Sequence, residues 1–232
     1  RCTAFNYGPH NMVALNERLT DHLAHPAVGQ PKERLWQVRA KEVVLAAGAL
    51  ERPLVFDGND RPGVMLATAA RTYLNRYGVA CGRRAIVVTA DDAAYRVALD
   101  LKDAGVTVAA IADLRPAPDG ALVAAAIRAG ITVLPNTTIQ RAHGLNRVCS
   151  VELAQLLPDG SVGKGHQWRA DLVLMSGGFT PSVHMFSQSR GKLVFDEELG
   201  VYVPGQSAER ERSAGACRGV YRLDRVLEDG AR

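Results

Sequence analysis

The sequence predicts an α/β protein in which one parallel-sheet domain is inserted into another. Three observations carry this prediction: a β-branched run ending in small residues at Lys41–Ala49, a strand–helix–strand alternation that begins at Arg84, and an apolar run, Asp171–Met175, that leads into Gly177-Gly178. Buried parallel strands are nearly continuous apolar runs, and small residues after them leave room for a ligand. We therefore expect Lys41–Ala49 to be a buried strand with a binding site at its carboxyl end.

The N-terminal segment has the pattern of a β-meander. Thr3–Phe5, Asn11–Arg18 and Leu35–Arg39 are short alternating segments, separated by Gly8-Pro9 and by Pro26–Pro31. A period of two indicates half-buried strands, and clusters of Gly and Pro mark the loops between them. The sequence thus predicts a small antiparallel sheet ahead of the Lys41–Ala49 strand.

The middle of the chain alternates between helical and strand patterns, which favours a doubly wound parallel sheet. Gly78, Gly105 and Gly130 follow the helical segments, as is typical of helix ends. Short hairpin strands then precede the Asp171–Met175 run. The predicted elements are helix Leu66–Tyr77, strand Arg84–Thr89, helix Asp92–Ala104, strand Val106–Ile111, helix Ala121–Ala129, strand Ile131–Leu134 and hairpin strands Thr137–His143, Arg147–Leu153 and His166–Arg169.

This order of elements predicts two domains. Residues 1–56 plus 186–232 are expected to form a partial first dinucleotide-binding domain, and residues 57–185 a second, Rossmann-like domain inserted into it. The chain opens on Arg1 without an initiator Met and ends in a helix-like pattern. We therefore expect a piece of a longer polypeptide, with the glycine-rich loop of the first domain upstream of Arg1.

Composition and charge argue against several classes of function. The formal net charge of +4 comes from scattered basic residues, so neither nucleic-acid nor membrane-surface binding is indicated. No run approaches the roughly 20 apolar residues of a spanning helix and no signal peptide is visible, which favours a cytoplasmic protein. The four cysteines are far apart, so a metal site and disulfide reductase chemistry are not expected. No catalytic residue is predicted, because the histidines lack ligand spacing and a nucleophilic partner: His10, His22, His25, His143, His166 and His184.

The first strand-to-helix turn of the inserted domain lacks the glycines of a phosphate-binding loop. Asp91 and Asp92 occupy the turn, where a carboxylate favours a helix N-terminus but repels a phosphate. Asp113 follows the next strand, at the position of a ribose-binding acid. Since the glycine loop is absent, we expect a helix cap at Asp91-Asp92 and a turn residue at Asp113.

Eight segments between Val44 and Gly215 carry a resemblance to a known family that covers nearly the whole chain. They are Val44–Pro53, Gly58–Ala67, Arg71–Val79, Asp91–Leu101, Gly177–His184, Ser187–Ser189, Gly191–Leu193 and Arg212–Gly215. They resemble the alpha subunit of heterotetrameric sarcosine oxidases, within the superfamily of oxidoreductases that have two dinucleotide-binding domains. The resemblance implies oxidative demethylation of sarcosine to glycine, with NAD in the alpha subunit and FAD and FMN elsewhere in the complex. It also implies beta, gamma and delta subunits as partners, and tetrahydrofolate bound by a part of alpha outside this chain.

Six residues are the predicted cofactor contacts: Ala47, Gly48, Arg52, Ala214, Gly215 and Ala216. The small residues permit close approach of a cofactor, although tight helix packing explains them equally well. Arg52 is a phosphate candidate by its position after Gly48. In FAD-binding relatives an Asp usually follows the late glycine, and Ala216 cannot replace its hydrogen bonds, which favours NAD over FAD.

Two other functions remain open at this stage. The inserted domain could be a scaffold that binds nothing and packs against partner subunits. An NAD(P)H-dependent flavoprotein reductase is the second alternative, but it requires the glycine loop that Asp91-Asp92 replaces. In each case the isolated chain is expected to be inactive on sarcosine.

Overall fold

A computed structural model describes residues 1–231 and shows two compact units. Unit 1 consists of Arg1–Leu50 and Thr180–Arg232, and unit 2 of Glu51–Phe179. The boundaries predicted from the sequence, at 57 and 185, fall six residues later than these at each junction. The assignment of the two units as dinucleotide-binding domains is a proposal that is taken up below.

The secondary structure alternates between strands and short helices. The strands are β1 Cys2–Gly8, β2 Met12–Arg18, β3 Glu33–Arg39, β4 Val43–Leu45, β5 Ala49–Glu51, β6 Val64–Leu66, β7 Arg84–Thr89, β8 Thr107–Asp113, β9 Val133–Leu134, β10 Thr137–His143, β11 Ser150–Gln155, β12 His166–Arg169, β13 Leu172–Ser176, β14 Phe179–Pro181, β15 Lys192–Asp196, β16 Val201–Gln206 and β17 Glu211–Ser213. The helices are α1 Ala67–Tyr77, α2 Ala93–Asp103, α3 Ala121–Arg128, α4 His184–Gln188, a 3-10 helix Gly215–Arg218 and α5 Leu223–Gly230.

A five-stranded parallel sheet forms the centre of unit 2, with strand order β6-β13-β7-β8-β9. Strand β7 begins the alternation, with β8 on one side of it and β13 on the other. The order of the sheet therefore changes direction at β7, and the crevice beside this switch point is where open α/β sheets bind ligands. The predicted Rossmann-like parallel sheet is confirmed.

The two faces of this sheet pack against different layers. Ala85 and Val87 of β7 point into the apolar cluster formed with α1, α2 and α3, whereas Ile86 and Val88 point into a second cluster. This period of two, with apolar side chains on both faces, is what a fully buried parallel strand requires. The sequence run from Ala85 to Val88 is apolar for this reason.

The second face is covered by an antiparallel sheet rather than by helices. Strands β10, β11 and β12 form this layer, and Ile139, Val151 and Leu153 pack from it against β7 and β13. The sequence predicted these hairpin strands but placed them in a doubly wound fold. The difference arises because the hairpin residues supply the apolar surface that a second helical layer would otherwise provide.

Unit 1 contains three small sheets and few buried apolar side chains. The predicted meander is present as β1-β2-β3, while β4 pairs in parallel with β17 and β15 pairs with β16. Strand β4 was expected to be buried, yet Val44 is 67% exposed, because β4 has β17 as its only partner strand in unit 1. Among the described residues of this unit, the buried apolar side chains are Tyr7, Phe186, Val201 and Cys217.

Candidate functional site

The parallel pair in unit 1 brings the early and late small-residue segments together. Val44 lies opposite Arg212 and Leu45 opposite Ser213, so both strands end at the same edge. The backbone N–H of Ala214 donates to the carbonyl of Leu45 at 2.9 Å, which continues the ladder past β17. Ala47 and Gly48 therefore follow one strand at the edge where Ala214, Gly215 and Ala216 follow the other.

Gly48 and Gly215 both have left-handed backbone conformations, with φ of 73° and 75°. A Cβ built on Gly48 meets no atom within 4 Å, so glycine is required there by backbone conformation and not by crowding. A Cβ on Gly215 would lie 3.3 Å from Cγ1 of Val226. The turn at Gly48 is therefore open, whereas Gly215 is buried and its N–H already has an acceptor within the chain.

The carboxylate of Asp229 is hydrogen-bonded to the turn at Gly215. The N–H of Gly215 donates to its Oδ2 at 2.8 Å, and Nη1 of Arg218 donates to its Oδ1 at 2.6 Å. The carboxylate is 9% exposed. It satisfies a donor at the start of the 3-10 helix, whereas Ala216 contributes no polar group. Sequence reasoning missed Asp229, because it reaches the turn from 14 residues away.

A cavity of about 520 Å³ opens beside the same strands. Two guanidinium groups, Arg212 and Arg218, line it together with the hydroxyls of Ser207 and Ser213. The carboxylates of Glu42 and Asp229 also line it, and Arg218 is paired with Asp229, so Arg212 is the arginine that suits a phosphate-bearing ligand. The remaining lining residues are Val44, Phe186, Pro204, Gly205, Ala214 and Gly230.

Arg52 is separated from the other five predicted contacts, because it belongs to unit 2. Its N–H donates to the carbonyl of Gly178 and its carbonyl accepts from the N–H of Gly177, both at 2.8 Å. A Cβ on Gly178 would lie 3.0 Å from Nη2 of Arg52. The Gly177-Gly178 pair therefore accommodates this arginine, whose Nε is buried without a hydrogen-bond partner among residues 1–231.

The crevice at the switch point of unit 2 is filled by the chain itself. Oδ1 of Asp91 accepts from the N–H of Ala93 at 2.7 Å, in the position of an anion at a helix N-terminus. Ser176, at the end of β13, accepts from the N–H of Ala90 at 3.0 Å and donates to Asp91 Oδ2 at 3.3 Å. Burial raises the pKa of Asp91, with a smaller contribution from Glu51. Asp91 thus bonds to the first turn of α2 as expected of a cap, whereas Asp92, the N-cap residue by position, makes no side-chain capping hydrogen bond.

Asp113 is buried in an ionic network, so the expectation of a turn residue is wrong. Its carboxylate is 0% exposed and accepts from the Tyr95 hydroxyl at 2.7 Å and from Nε and Nη2 of Arg115 at 3.0 and 2.8 Å. Nη2 of Arg115 also lies 2.8 Å from Oδ1 of Asp92, and hydrogen bonding to Asp113 raises the pKa of the guanidinium. Arg115 therefore holds both acids, and the carboxylate at the ribose position is already satisfied.

The two strand-end regions thus differ in their fit to a nicotinamide dinucleotide. Unit 1 offers the open turn at Gly48, the guanidinium group of Arg212 and a cavity, and these fit a phosphate-bearing cofactor. Unit 2 presents Asp91 where the pyrophosphate would lie and a saturated Asp113 where the ribose would lie. Its residues do not fit the cofactor.

Comparison with known proteins finds relatives that are 36 to 40% identical to the chain. No protein-family model matches it. The sarcosine oxidase alpha subunit of Corynebacterium sp. (strain P-1) is 40% identical over 224 residues, which cover 95% of this chain and 23% of that subunit. The chain is homologous to part of the sarcosine oxidase alpha subunit. The subunit of Rhizobium meliloti (strain 1021) is 36% identical over 231 residues, covering 100% of this chain and 22% of that subunit.

These matches confirm the resemblance to sarcosine oxidase alpha subunits, of whose length the chain spans less than a quarter. Solved structures share the fold at lower identity. Thioredoxin reductase of T. acidophilum matches with a TM-score of 0.66 and 18% identity over 85% of this chain and 66% of that one. L-proline dehydrogenase of P. horikoshii matches with a TM-score of 0.62 and 22% identity, over 93% and 36%. The predicted fold class is confirmed.

The described residues contain neither a metal-binding cluster nor a membrane-spanning helix. Within residues 1–231, no group of three or more His, Cys, Asp and Glu side chains is arranged to hold a metal ion. None of the helices in that range has the length and apolar character needed to cross a membrane. The guanidinium group of Arg61 donates to the carbonyls of Ala142 and Gly144.

Proposed function

We propose that unit 1 forms part of an NAD site in the alpha subunit of a sarcosine oxidase. The observation that carries the proposal is the β4–β17 pair, which places Gly48 and Gly215 at one strand edge. A dinucleotide binds to open α/β folds at the carboxyl ends of the strands, where main chain is accessible. The names of the relatives support sarcosine oxidase as the parent enzyme.

Each residue of the site has a role in this proposal. Ala47 and Gly48 leave the backbone open after β4, so that a pyrophosphate approaches it closely, and Ala214 and Gly215 follow the neighbouring strand. Ala216, which lacks a polar group, favours NAD over FAD. The guanidinium group of Arg212 meets the phosphate charge from the cavity, which Arg218, paired with Asp229, also lines.

The parent assembly would oxidise the secondary amine sarcosine and release glycine. NAD supplies hydride chemistry at its nicotinamide ring when it is bound, and the proposed assembly also carries FAD and FMN. Beta, gamma and delta subunits and tetrahydrofolate complete it, in the cytoplasm. The 232-residue chain alone contains none of the flavin chemistry in this proposal, so we expect it to be inactive on sarcosine.

A scaffold is the second candidate function, and it concerns unit 2. The closed switch point favours it, because Asp91 and Asp113 occupy with protein groups the positions at which a cofactor would be held. Such a unit keeps a dinucleotide fold and binds nothing at its switch point. It would then serve packing against other parts of the assembly.

Calorimetric titration of NAD tests the proposed site. NAD is titrated into the chain and into a longer version that includes the upstream part of the parent polypeptide. We expect binding to the longer version, weakened about tenfold by Arg212→Met, since a charge-assisted contact to phosphate is lost. Arg210→Met is the matched control, because Arg210 is an exposed neighbour that does not line the cavity.

Two outcomes contradict the proposal. Absence of binding to both versions would leave only the scaffold function. Binding that Arg212→Met and Gly48→Val both leave unchanged would place the NAD site outside unit 1. Gly48→Val is informative because a β-branched residue cannot adopt the left-handed conformation without strain, even though the space is open.

A further inference from the structure

A second cavity, of about 530 Å³, lies in unit 2 at the open end of the antiparallel sheet. It shares no lining residue with the cavity of unit 1 or with the network around Asp91 and Asp113. Its size is within the range of small-molecule sites, about 300 to 1,000 Å³. Nothing in the proposed NAD or scaffold functions uses it.

The strand register builds this cavity on one face of the sheet. Thr137 lies opposite Gln155, Leu153 opposite His166, and Trp168 is two residues further along β12. Because side chains of a strand alternate between faces, these five share the face that packs into the core at Leu153. The cavity is the place where this face runs beyond the parallel sheet and becomes accessible.

The walls of the cavity are held by hydrogen bonds. Nδ2 of Asn136 donates to the carbonyl of Leu156 at 2.6 Å, and the N–H of Leu156 donates back to Asn136 at 2.8 Å. On the opposite side, the carbonyl of Gly163 accepts from Nε2 of Gln140 at 3.2 Å, and its N–H donates to Gln155 at 2.9 Å. The loop between Leu156 and Gly163 is thus hydrogen-bonded to the sheet at both ends, so the cavity is largely preformed.

The lining combines an apolar floor with a cationic rim. Leu134, Leu153, Leu157 and the Trp168 ring provide the apolar surface, and Lys164, His166 and Gln155 provide the polar groups. No Asp or Glu lines the cavity. Within residues 1–231 the Lys164 and His166 side chains form no ion pair and no hydrogen bond, and the neighbouring Glu152 is paired with His143. The positive charge of Lys164 therefore has no counter-charge from the chain.

We propose that this cavity binds an organic anion with a flat apolar body, such as an aromatic carboxylate. The ring system would pack on Trp168 and the leucines, and the carboxylate would accept hydrogen bonds from Lys164 and His166. A neutral ligand would leave the lysine without its counter-charge, and a cation would be repelled by it. The proposal is independent of NAD binding in unit 1.

The test is titration of 2-naphthoate into the 232-residue chain, followed by calorimetry and by tryptophan emission. The chain has two tryptophans, so a Trp36→Phe background leaves Trp168 as the only reporter. We expect saturable binding that changes the Trp168 emission. The uncharged analogue 2-naphthalenemethanol should bind about tenfold more weakly, because it loses the charge-assisted hydrogen bonds.

Lys164→Met removes the positive charge at the rim of the cavity. Because Lys164 is exposed, the variant should fold like the parent chain, and an unchanged midpoint of urea unfolding would verify this. The substitution should weaken 2-naphthoate about tenfold and leave the alcohol unaffected, while Lys102→Met, an exposed lysine of α2 outside the cavity, changes neither. The proposal is overturned by the absence of saturable binding at millimolar naphthoate. It is also overturned if acid and alcohol bind equally, or if Lys164→Met has no effect.

Discussion

The two compact units differ in where they bury apolar side chains and in where they leave main chain open. Both large apolar clusters lie in unit 2, on the two faces of its parallel sheet. In unit 1, strand β3 is exposed along its whole length, with Leu35 and Trp36 61% and 43% exposed. In unit 2, which has the larger core, Asp91 occupies the switch point at which a ligand would bind. Unit 1, which has the open turn at Gly48, buries few apolar side chains. The large apolar core and the proposed cofactor site thus lie in different units of the chain.

At each of the two strand-to-helix turns a backbone N–H needs a hydrogen-bond acceptor, and the two acceptors come from different places in the chain. In unit 2 the N–H of Ala93 is satisfied by Asp91, two residues earlier. In unit 1 the N–H of Gly215 is satisfied by Asp229, 14 residues later. Asp91 is itself a residue of the turn in unit 2. Asp229 lies on a separate helix, so the turn in unit 1 contains glycine and no acid of its own. In both turns a carboxylate occupies the amide, so the turns differ in where the acid comes from and not in whether the amide is free.

Amide hydrogen exchange tests the difference in core, and we expect the largest effect here. Amides of β13, buried along its whole length, should exchange about 10³-fold more slowly than the hydrogen-bonded amides of the exposed strand β3, because they open only when the core of unit 2 unfolds. The measurement is exchange followed by mass spectrometry of the whole chain. Equal protection of β3 and β13 would mean that the two units share one cooperative core.

Asp113→Ala should have the next largest effect, through the network at the switch point. The substitution leaves Arg115 facing Asp92 alone and removes the acceptor of the buried Tyr95 hydroxyl. We expect a loss of about 3 kcal/mol in the free energy of unfolding, measured with urea. Asp103→Ala, at an exposed position of α2, is the control and should change it by less than about 0.5 kcal/mol. Similar values for both variants would show that the network contributes little.

Asp229→Ala should have a smaller effect, confined to unit 1. The N–H of Gly215 and the guanidinium of Arg218 both lose their acceptor, which is expected to cost about 1.5 kcal/mol. Unfolding followed by the fluorescence of Trp36, which lies in unit 1, measures it. Glu228→Ala on the same helix faces solvent and should leave the midpoint unchanged. If Glu228→Ala lowers the midpoint of unfolding as much as Asp229→Ala does, then α5 as a whole stabilises the turn and the carboxylate of Asp229 does not.

The pH dependence of stability at Asp91 is the smallest expected effect. Because burial raises the pKa of Asp91, the folded chain binds this proton more tightly than the unfolded chain. The stability that Asp91 contributes at acidic pH is therefore lost as the pH rises through the raised pKa. Asp91→Asn stays neutral, so its stability relative to the parent chain should increase between about pH 3 and about pH 7. A difference that stays constant over this range would contradict the raised pKa.

Much of unit 2 could be predicted from local patterns. Strands β7 and β13 are short apolar runs with polar ends, and α2 has apolar residues at helical spacing before Gly105. These signals come from residues within one or two turns of each other, so neighbouring sequence contains them completely. The cap at Asp91 was predicted for the same reason, since its partner is two residues away.

Contacts between distant segments could not be predicted in this way. Arg52 was placed with Gly48 because the two are close in sequence, yet its backbone pairs with Gly177 and Gly178, and its guanidinium approaches Gly178. The contact of Asp113 with Tyr95 could not be predicted, because the two residues meet only when α2 packs on the sheet. A residue pattern shows which side chains are polar but not which polar groups they will face.

The sequence by itself determined the alternation of strands and helices, the glycines at the strand ends of unit 1 and the kinship with sarcosine oxidase alpha subunits. Tertiary structure alone decided which groups satisfy the exposed amides and acids at the two strand edges. Ser176 meets Asp91 across 85 residues, and Asp229 reaches Gly215 from a separate helix. The physical reason is that local conformation depends on near neighbours, whereas a hydrogen bond across the chain exists only where packing brings donor and acceptor together.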